Sequence, residues 1–174
     1  REILFISQYR KYMTDPFVKN YIFTEENLLK TLAIFCLNNK LKLSILPSKF
    51  NYKLQLLHYK EILKNFTFKL YKKNNNLSYK RIDKSLIVVG VDSTLVYESL
   101  SRGNKTGIFQ FGLNIENSKY DESFISKYYF SETGKFWLKY LDKVKILNIL
   151  NYLLFTSQKK WNDDTSSYQK ILPF

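Results

Sequence analysis

The apolar positions of this chain alternate between short compact runs and longer stretches with helical spacing. Glu2 to Ser7 (EILFIS) is a compact run that predicts a buried strand. A polar, aromatic stretch through Gln8, Tyr9, Arg10 and Asp15-Pro16 reads as loop, because Pro16 disfavours helix at Asp15. Thr24 to Asn38 reads as a helix with Thr24 as N-cap and Glu25 and Glu26 in a dipole-favoured first turn. Leu28, Leu29, Leu32, Ile34, Phe35 and Cys36 would give it a broad apolar face.

Leu41 to Leu46 alternates like a strand and stops at Pro47-Ser48-Lys49. Tyr52 to Asn65 has helical spacing through Leu56, Leu57, Tyr59, Ile62 and Leu63. Phe66 to Tyr71 alternates again, Lys72 to Asn76 is a polar turn, and Leu77 to Lys84 holds a short helical segment. Leu86 to Val91 is a β-branched run expected of a central strand buried on both faces. A helix from Ser93 or Thr94 to Arg102 follows, with Gly103 suited to the position after its end, and then a strand from Lys105 to Phe111.

Beyond this point the pattern changes. Gly112 to Gly134 is polar and irregular, and Phe136 to Thr156 reads as mainly helical with a break near Asp142. Ser157 to Phe174 reads as a polar tail anchored by Trp161. Strands and helices alternate over the first two-thirds, which predicts an α/β fold: a Rossmann-like parallel sheet with helices on both faces. Residues 1–112 would form the core, and residues 113–174 an irregular loop and C-terminal helices of the same domain.

Ligands of such sheets bind at the carboxyl ends of the strands, so the loops beginning at Ser7, Pro47 and Asp92 should share one rim. Asp92-Ser93-Thr94 joins the β-branched run to a helix N-terminus, where backbone N–H groups and the dipole attract an anion. The same residues could simply cap the helix. Glu98 lies one turn beyond Thr94, on its face, and could accept bonds from two ribose hydroxyls; otherwise it is a solvated helix glutamate. Lys49 could neutralise a phosphate, and Ser7, Gln8 and Tyr9 could touch a ligand from the first loop.

Composition narrows the chemistry. The chain has 174 residues, enough for one domain with a core, and 45% of them are hydrophobic. Only 5 glycines are present, and neither GxGxxG nor GxxxxGK[ST] occurs. Cys36 and His58 are the sole residues of their types, which excludes an internal disulfide and a cysteine- or histidine-cluster metal site. Cys36 reads as core packing. A Ser-His-Asp triad has no nucleophile-elbow support. The net charge of +13 permits nucleic acid or anionic lipid as a partner, but the lysines are scattered and runs such as Lys72-Lys73 are short. No signal peptide and no apolar run of transmembrane length occurs, which fits a cytoplasmic protein, peripheral at most to the inner face of the membrane.

The unit VVGVDSTLVYESLSRGNKTGIF resembles the C-terminal half-domain of GT-B glycosyltransferases, and more narrowly those of bacterial surface-carbohydrate synthesis. ILFISQYR resembles the first strand and loop of that half, ENLLKTLAIFCLNNKLKLSILPSK its first helix and second strand, and GKFWLKYLDKVKILNILNYLLFTSQKKW its C-terminal helices. The resemblance implies a nucleotide-sugar donor, with its phosphate on Ser93 and Thr94 and its ribose on Glu98. It implies transfer to a glycan or lipid-linked acceptor with no metal or other cofactor, since no DxD occurs. In related CMP-sugar enzymes a His-Pro pair follows the second strand; Pro47-Ser48-Lys49 stands there instead, which counts against CMP and makes Lys49 the candidate phosphate ligand.

The resemblance also implies a facing N-terminal half that carries the acceptor side and often the base. A chain starting at Arg1 without that half is expected to bind nucleotide without turning over. A nucleotide-sugar epimerase and a teichoic-acid-type polyol-phosphate transferase share the two-half plan. A non-catalytic nucleic-acid-binding module is the alternative outside enzymes; against it, the aromatics lie mostly in apolar runs that core packing explains.

Overall fold

The computed structural model describes residues 1–9, 16–48, 51–72, 75–91, 93–109 and 133–171. Six strands and six helices are assigned among them: β1 (Glu2–Ile6), α1 (Pro16–Asn38), β2 (Lys42–Leu46), α2 (Tyr52–Leu63), β3 (Phe68–Leu70), α3 (Asn75–Lys84), β4 (Ile87–Gly90), α4 (Thr94–Ser101), β5 (Thr106–Phe109), β6 (Trp137–Leu138), α5 (Lys143–Phe155) and α6 (Gln158–Ile171). The strands form one sheet in the order β3-β2-β1-β4-β5-β6. Every neighbouring pair is parallel. This is the α/β, Rossmann-like arrangement that the alternation of elements predicts.

β1 is the pivot of the sheet. Its residues pair β2 on one edge, with Ile6 opposite Leu46, and β4 on the other, with Ile6 opposite Gly90. Ile3, Leu4, Phe5 and all of β4 are buried, so neither face of the central strands meets water. Helices therefore cover both sides, and near-continuous apolar runs rather than alternation mark these strands. One group of helices joins α1 to α2 and α5, and the other joins α3 to α4 and α4 to α6.

Three expectations are corrected. α1 begins at Pro16, not near Thr24. Proline lacks the N–H that the first helical turn leaves unpaired and has a helix-compatible φ, so it opens this helix rather than forbidding it. Thr24 is therefore interior to α1, and Glu25 and Glu26 are not in its first turn. The segment from Phe136 opens with a strand: Trp137 and Leu138 pair Ile108 and Phe109 before Asp142 caps α5 through Val144 N (2.9 Å) and Lys145 N (3.1 Å). The presumed polar tail is α6, whose polar sequence hides one buried anchor. Most of the irregular stretch expected at Gly112 to Gly134 lies outside the described residues.

Trp161 is that anchor. It is fully buried, meets Phe136 edge-on at 5.2 Å, and donates from Nε1 to the Gly103 carbonyl at 3.0 Å. Gly103 holds φ +82° just after α4, a conformation that favours glycine. Trp161 thus ties α6 to the end of α4. Trp161→Ala should cost about 3–5 kcal/mol in urea unfolding; a loss well under about 1 kcal/mol would mean that α6 does not support the core.

Candidate functional site

The order of the strands creates the site. The connections from β1 to β2 and from β3 to β4 leave β1 toward opposite edges, so the loops beyond β1 and β4 part above the sheet. Ser7, Gln8 and Tyr9 follow β1, and Ser93 and Thr94 follow β4. The Pro47-Ser48 turn after β2 joins the same rim: Ser7 N donates to the Leu46 carbonyl (3.0 Å) and Ser48 Oγ to the Tyr9 carbonyl (3.0 Å). The β1 and β2 loops thus share the expected rim, and the register of β4 against β1 brings Gly90 to the same end of the sheet. Lys49 and Asp92 lie outside the described residues.

α4 approaches the sheet closely because Gly90 has no side chain. A Cβ there would sit 2.5 Å from Val96 Cγ2 and 3.0 Å from the Ile6 carbonyl oxygen. The helix N-terminus is therefore set directly over the end of β4. Ser93 is the N-cap, with extended backbone (φ −101°, ψ 133°), and its side chain makes no capping hydrogen bond. It is nevertheless 9% exposed. Its carbonyl accepts from Val96 N (2.8 Å) and Tyr97 N (3.3 Å), and Thr94 is exposed at the first helical position. A serine hydroxyl unused by its own helix, beside first-turn amides, can receive an anion.

Glu98 is one turn farther along α4 and is half-buried. It accepts from Tyr79 Oη of α3 at 2.7 Å, which pushes the Tyr79 phenol up from its ordinary range. The Arg102 guanidinium lies 5.2 Å over the Tyr79 ring, yet its ion pair is with Asp83 (Nε to Oδ1, 3.0 Å). Glu98 is thus held by a tyrosine rather than loose in solvent.

The loop after β1 is organised by a buried carboxyl that the sequence reading gave only a dipole role. Glu25 Oε1 accepts from Ser7 Oγ (2.6 Å) and Oε2 from Gln8 N (3.0 Å). Ser7 Oγ in turn accepts from Tyr9 N (2.9 Å), and Tyr59 Oη of α2 hydrogen-bonds to it. Ser7 and Glu25 are 4% exposed and Tyr59 is fully buried. Burial raises the Glu25 carboxyl to about 7, against the opposing pull of its Ser7, Gln8 and Tyr59 bonds. Burial, with the Glu25 charge next to it, also pushes the Tyr59 phenol well up.

The signal for Glu25 was present in the helical phase. It precedes Leu28, Leu29 and Leu32 by three, four and seven residues, and so shares their buried stripe. His58, which the sequence leaves without a role, stacks on Tyr9 (4.1 Å between centroids) and lies 3.9 Å from Glu26. Within the expected apolar faces, Ile34 and Leu57 are exposed, and Gln55 is buried instead, with Nε2 3.4 Å from the Ser48 carbonyl. Cys36 is core, as expected, and its thiol is raised to about 12 by burial. No helix among the described residues is long and apolar enough to cross a membrane.

A family model described as "putative O-antigen biosynthesis protein" matches residues 1–173. The chain belongs to this family. O-antigen is a surface polysaccharide, so membership points to surface-polysaccharide synthesis. No curated protein matches the chain.

Two outcomes test the geometry of this family member. Gly90→Ala should lower unfolding stability by about 1–3 kcal/mol, because neither a β-branched valine nor a strand carbonyl can yield cheaply; a neutral result in urea titration would mean that α4 is not seated on β4. Glu25 is raised in the fold, so the folded state holds a proton that the unfolded chain releases from about 4.5 upward. Its contribution is complete at pH below 4.5 and is lost as pH rises toward 7, on the order of 3 kcal/mol in all. Glu25→Gln keeps an acceptor for Gln8 N but no titrating proton. The variant's stability relative to wild type should therefore improve between pH 5 and pH 8; parallel pH curves would reject the assignment.

Proposed function

We propose that this chain forms the donor-binding half of a GT-B-type glycosyltransferase of surface-polysaccharide synthesis, with a nucleotide sugar bound where the β1 and β4 loops part. The observation that carries the reading is the N-terminus of α4: Ser93, 9% exposed and with no capping bond from its side chain, seated at the switch point of a 3-2-1-4-5-6 sheet. Ser93, Thr94 and the first-turn amides would hold the donor phosphate, and Lys49 would add a cation from the β2 loop. Glu98, steadied by Tyr79, keeps acceptor capacity for ribose hydroxyls.

In this reading the sugar leaves its phosphate as negative charge grows on the phosphate oxygens. Preorganised amides and hydroxyls at a helix N-terminus stabilise that charge more than they stabilise the ground state, which lowers the barrier. The facing half of such enzymes supplies the acceptor side and the base. The net charge of +13 favours approach of an anionic donor and of a glycolipid acceptor at an anionic surface.

A calorimetric panel of CMP, UDP, GDP and their sugars tests the proposal. One nucleotide should bind, and Ser93→Ala and Glu98→Ala should each weaken it by about tenfold or more, the loss expected when a charge-assisted hydrogen bond is removed. Unchanged affinity in both variants would reject the site. Salt-sensitive binding of random oligonucleotide, with no nucleotide binding, would favour the nucleic-acid module instead.

A further inference from the structure

The carboxyl of Glu25 is out of place for a residue that merely packs. It is buried at the carboxyl end of β1, and its two oxygens hold the Ser7 hydroxyl and the Gln8 amide. No lysine, arginine or histidine among the described residues hydrogen-bonds or pairs with it. Among the described residues, the groups facing it are Ser7, Gln8 and Tyr9 from the loop, Tyr59 from α2, and Glu26 on its own helix. Glu26 feels Lys30 and Glu61 and lies 3.9 Å from His58, whose ring packs on Tyr9 at 4.1 Å and on Tyr59 at 5.2 Å between centroids. Among the described residues, a carboxylate placed this way has its charge balanced by dipoles alone.

Across the switch point stands the α4 N-terminus. Ile6 pairs with Gly90, so the loop that Glu25 holds and the loop that leads to Ser93 start one strand spacing apart, about 5 Å. A length of two strand spacings, on the order of 10 Å, therefore separates an anion seated at Ser93 from this carboxyl. Like charges at that distance in a partly buried setting favour protonation of the weaker acid by about one pH unit per charge.

We propose that an anion binding at the β1–β4 switch point is taken up together with a proton, which goes to Glu25. Glu25 is then the positioning residue of the site. As the neutral acid it keeps its bonds to Ser7 and Gln8 while removing the charge that would repel the ligand. The inference rests on the reading of the switch point as a phosphate site. It goes beyond that reading because it assigns a pH response to a group that never touches the ligand. The step is a protonation only: one proton moves from solvent to a Glu25 oxygen, and no covalent bond of the ligand changes.

The test is calorimetry at pH 7 with whichever of CMP, UDP or GDP binds, in two buffers of different ionisation enthalpy. Wild type should take up more protons per nucleotide bound than Glu25→Gln. Its affinity should fall by about tenfold from pH 6 to pH 8 relative to the variant. The phosphate's own titration is common to both proteins and cancels in the difference. His58→Gln should retain the linkage; its loss there would assign the proton to the histidine and overturn the proposal.

Infrared difference spectra of wild type give a readout that does not depend on a variant folding. Adding the nucleotide at pH 7 should convert a carboxylate band into a carboxylic-acid band. Nucleotide binding with no excess proton uptake and no such band overturns this inference alone. Absence of nucleotide binding overturns the phosphate site and this inference with it.

Discussion

The two-sided pairing of β1 is the constraint on which the rest of the molecule depends. A strand buried on both faces and hydrogen-bonded on both edges has no freedom left except at its ends. Because β2 and β4 take opposite edges in the same register, with Ile6 opposite both Leu46 and Gly90, three loops must leave the sheet at one level. The chain then has to fill the gap between diverging loops with side chains or leave it for a ligand. Gly90 decides how near α4 comes, and Trp161 with Gly103 decides where the far end of α4 is held. The helix N-terminus is aimed by contacts at both of its ends.

A second constraint comes from Glu25. Burying a carboxyl without a cation is costly, and protein interiors resolve the cost by hydrogen bonding or by neutralising the group. Both occur here. The bonds from Ser7 and Gln8 pull the carboxyl down while burial pulls it up, and burial prevails to leave it at about 7. Replacement by leucine would remove that cost but would also leave the Gln8 amide and the Ser7 hydroxyl without their acceptor. The residue exchanges stability at neutral pH for a fixed loop geometry beside the crevice.

Much of the fold was legible in the sequence because central parallel strands and amphipathic helices write strong periods. Leu86 to Val91 could be read directly as a strand buried on both faces, and the helix after it ends at the glycine that suits its end. The misreadings have local causes. A two-residue strand such as Trp137–Leu138 carries no period, and only its pairing with β5 defines it. α6 is polar except for the positions that meet the core, so Trp161 looked like an isolated anchor. Pro16 biases Asp15 away from helix, yet its own fixed φ and missing N–H suit it to open one. In the proposed site, Ser93, Thr94 and Glu98 follow one another from the cap of one helix into its second turn and are accessible to local reasoning. Glu25, Ser7 and Tyr59 come from three elements and converge only once the sheet order is known.

The arrangement around Glu98 bears on whether that residue serves a ligand or only the fold. Arg102, four residues on along the same helix, is the charged partner within reach of Glu98. Arg102 instead binds Asp83, whose carboxyl also accepts from Asn104 Nδ2 (3.1 Å) and is lowered mainly by the Arg102 bond. Glu98 receives a single neutral hydroxyl through Oε2. A carboxylate has room for about four such bonds, so most of its acceptor capacity is uncommitted, while its orientation is already fixed by Tyr79. An ion pair with Arg102 would have satisfied the charge and closed the site to neutral hydroxyl donors. With the guanidinium drawn off by Asp83 and a phenol in its place, Glu98 keeps room for further hydroxyl donors, which is what the proposed ribose contact requires.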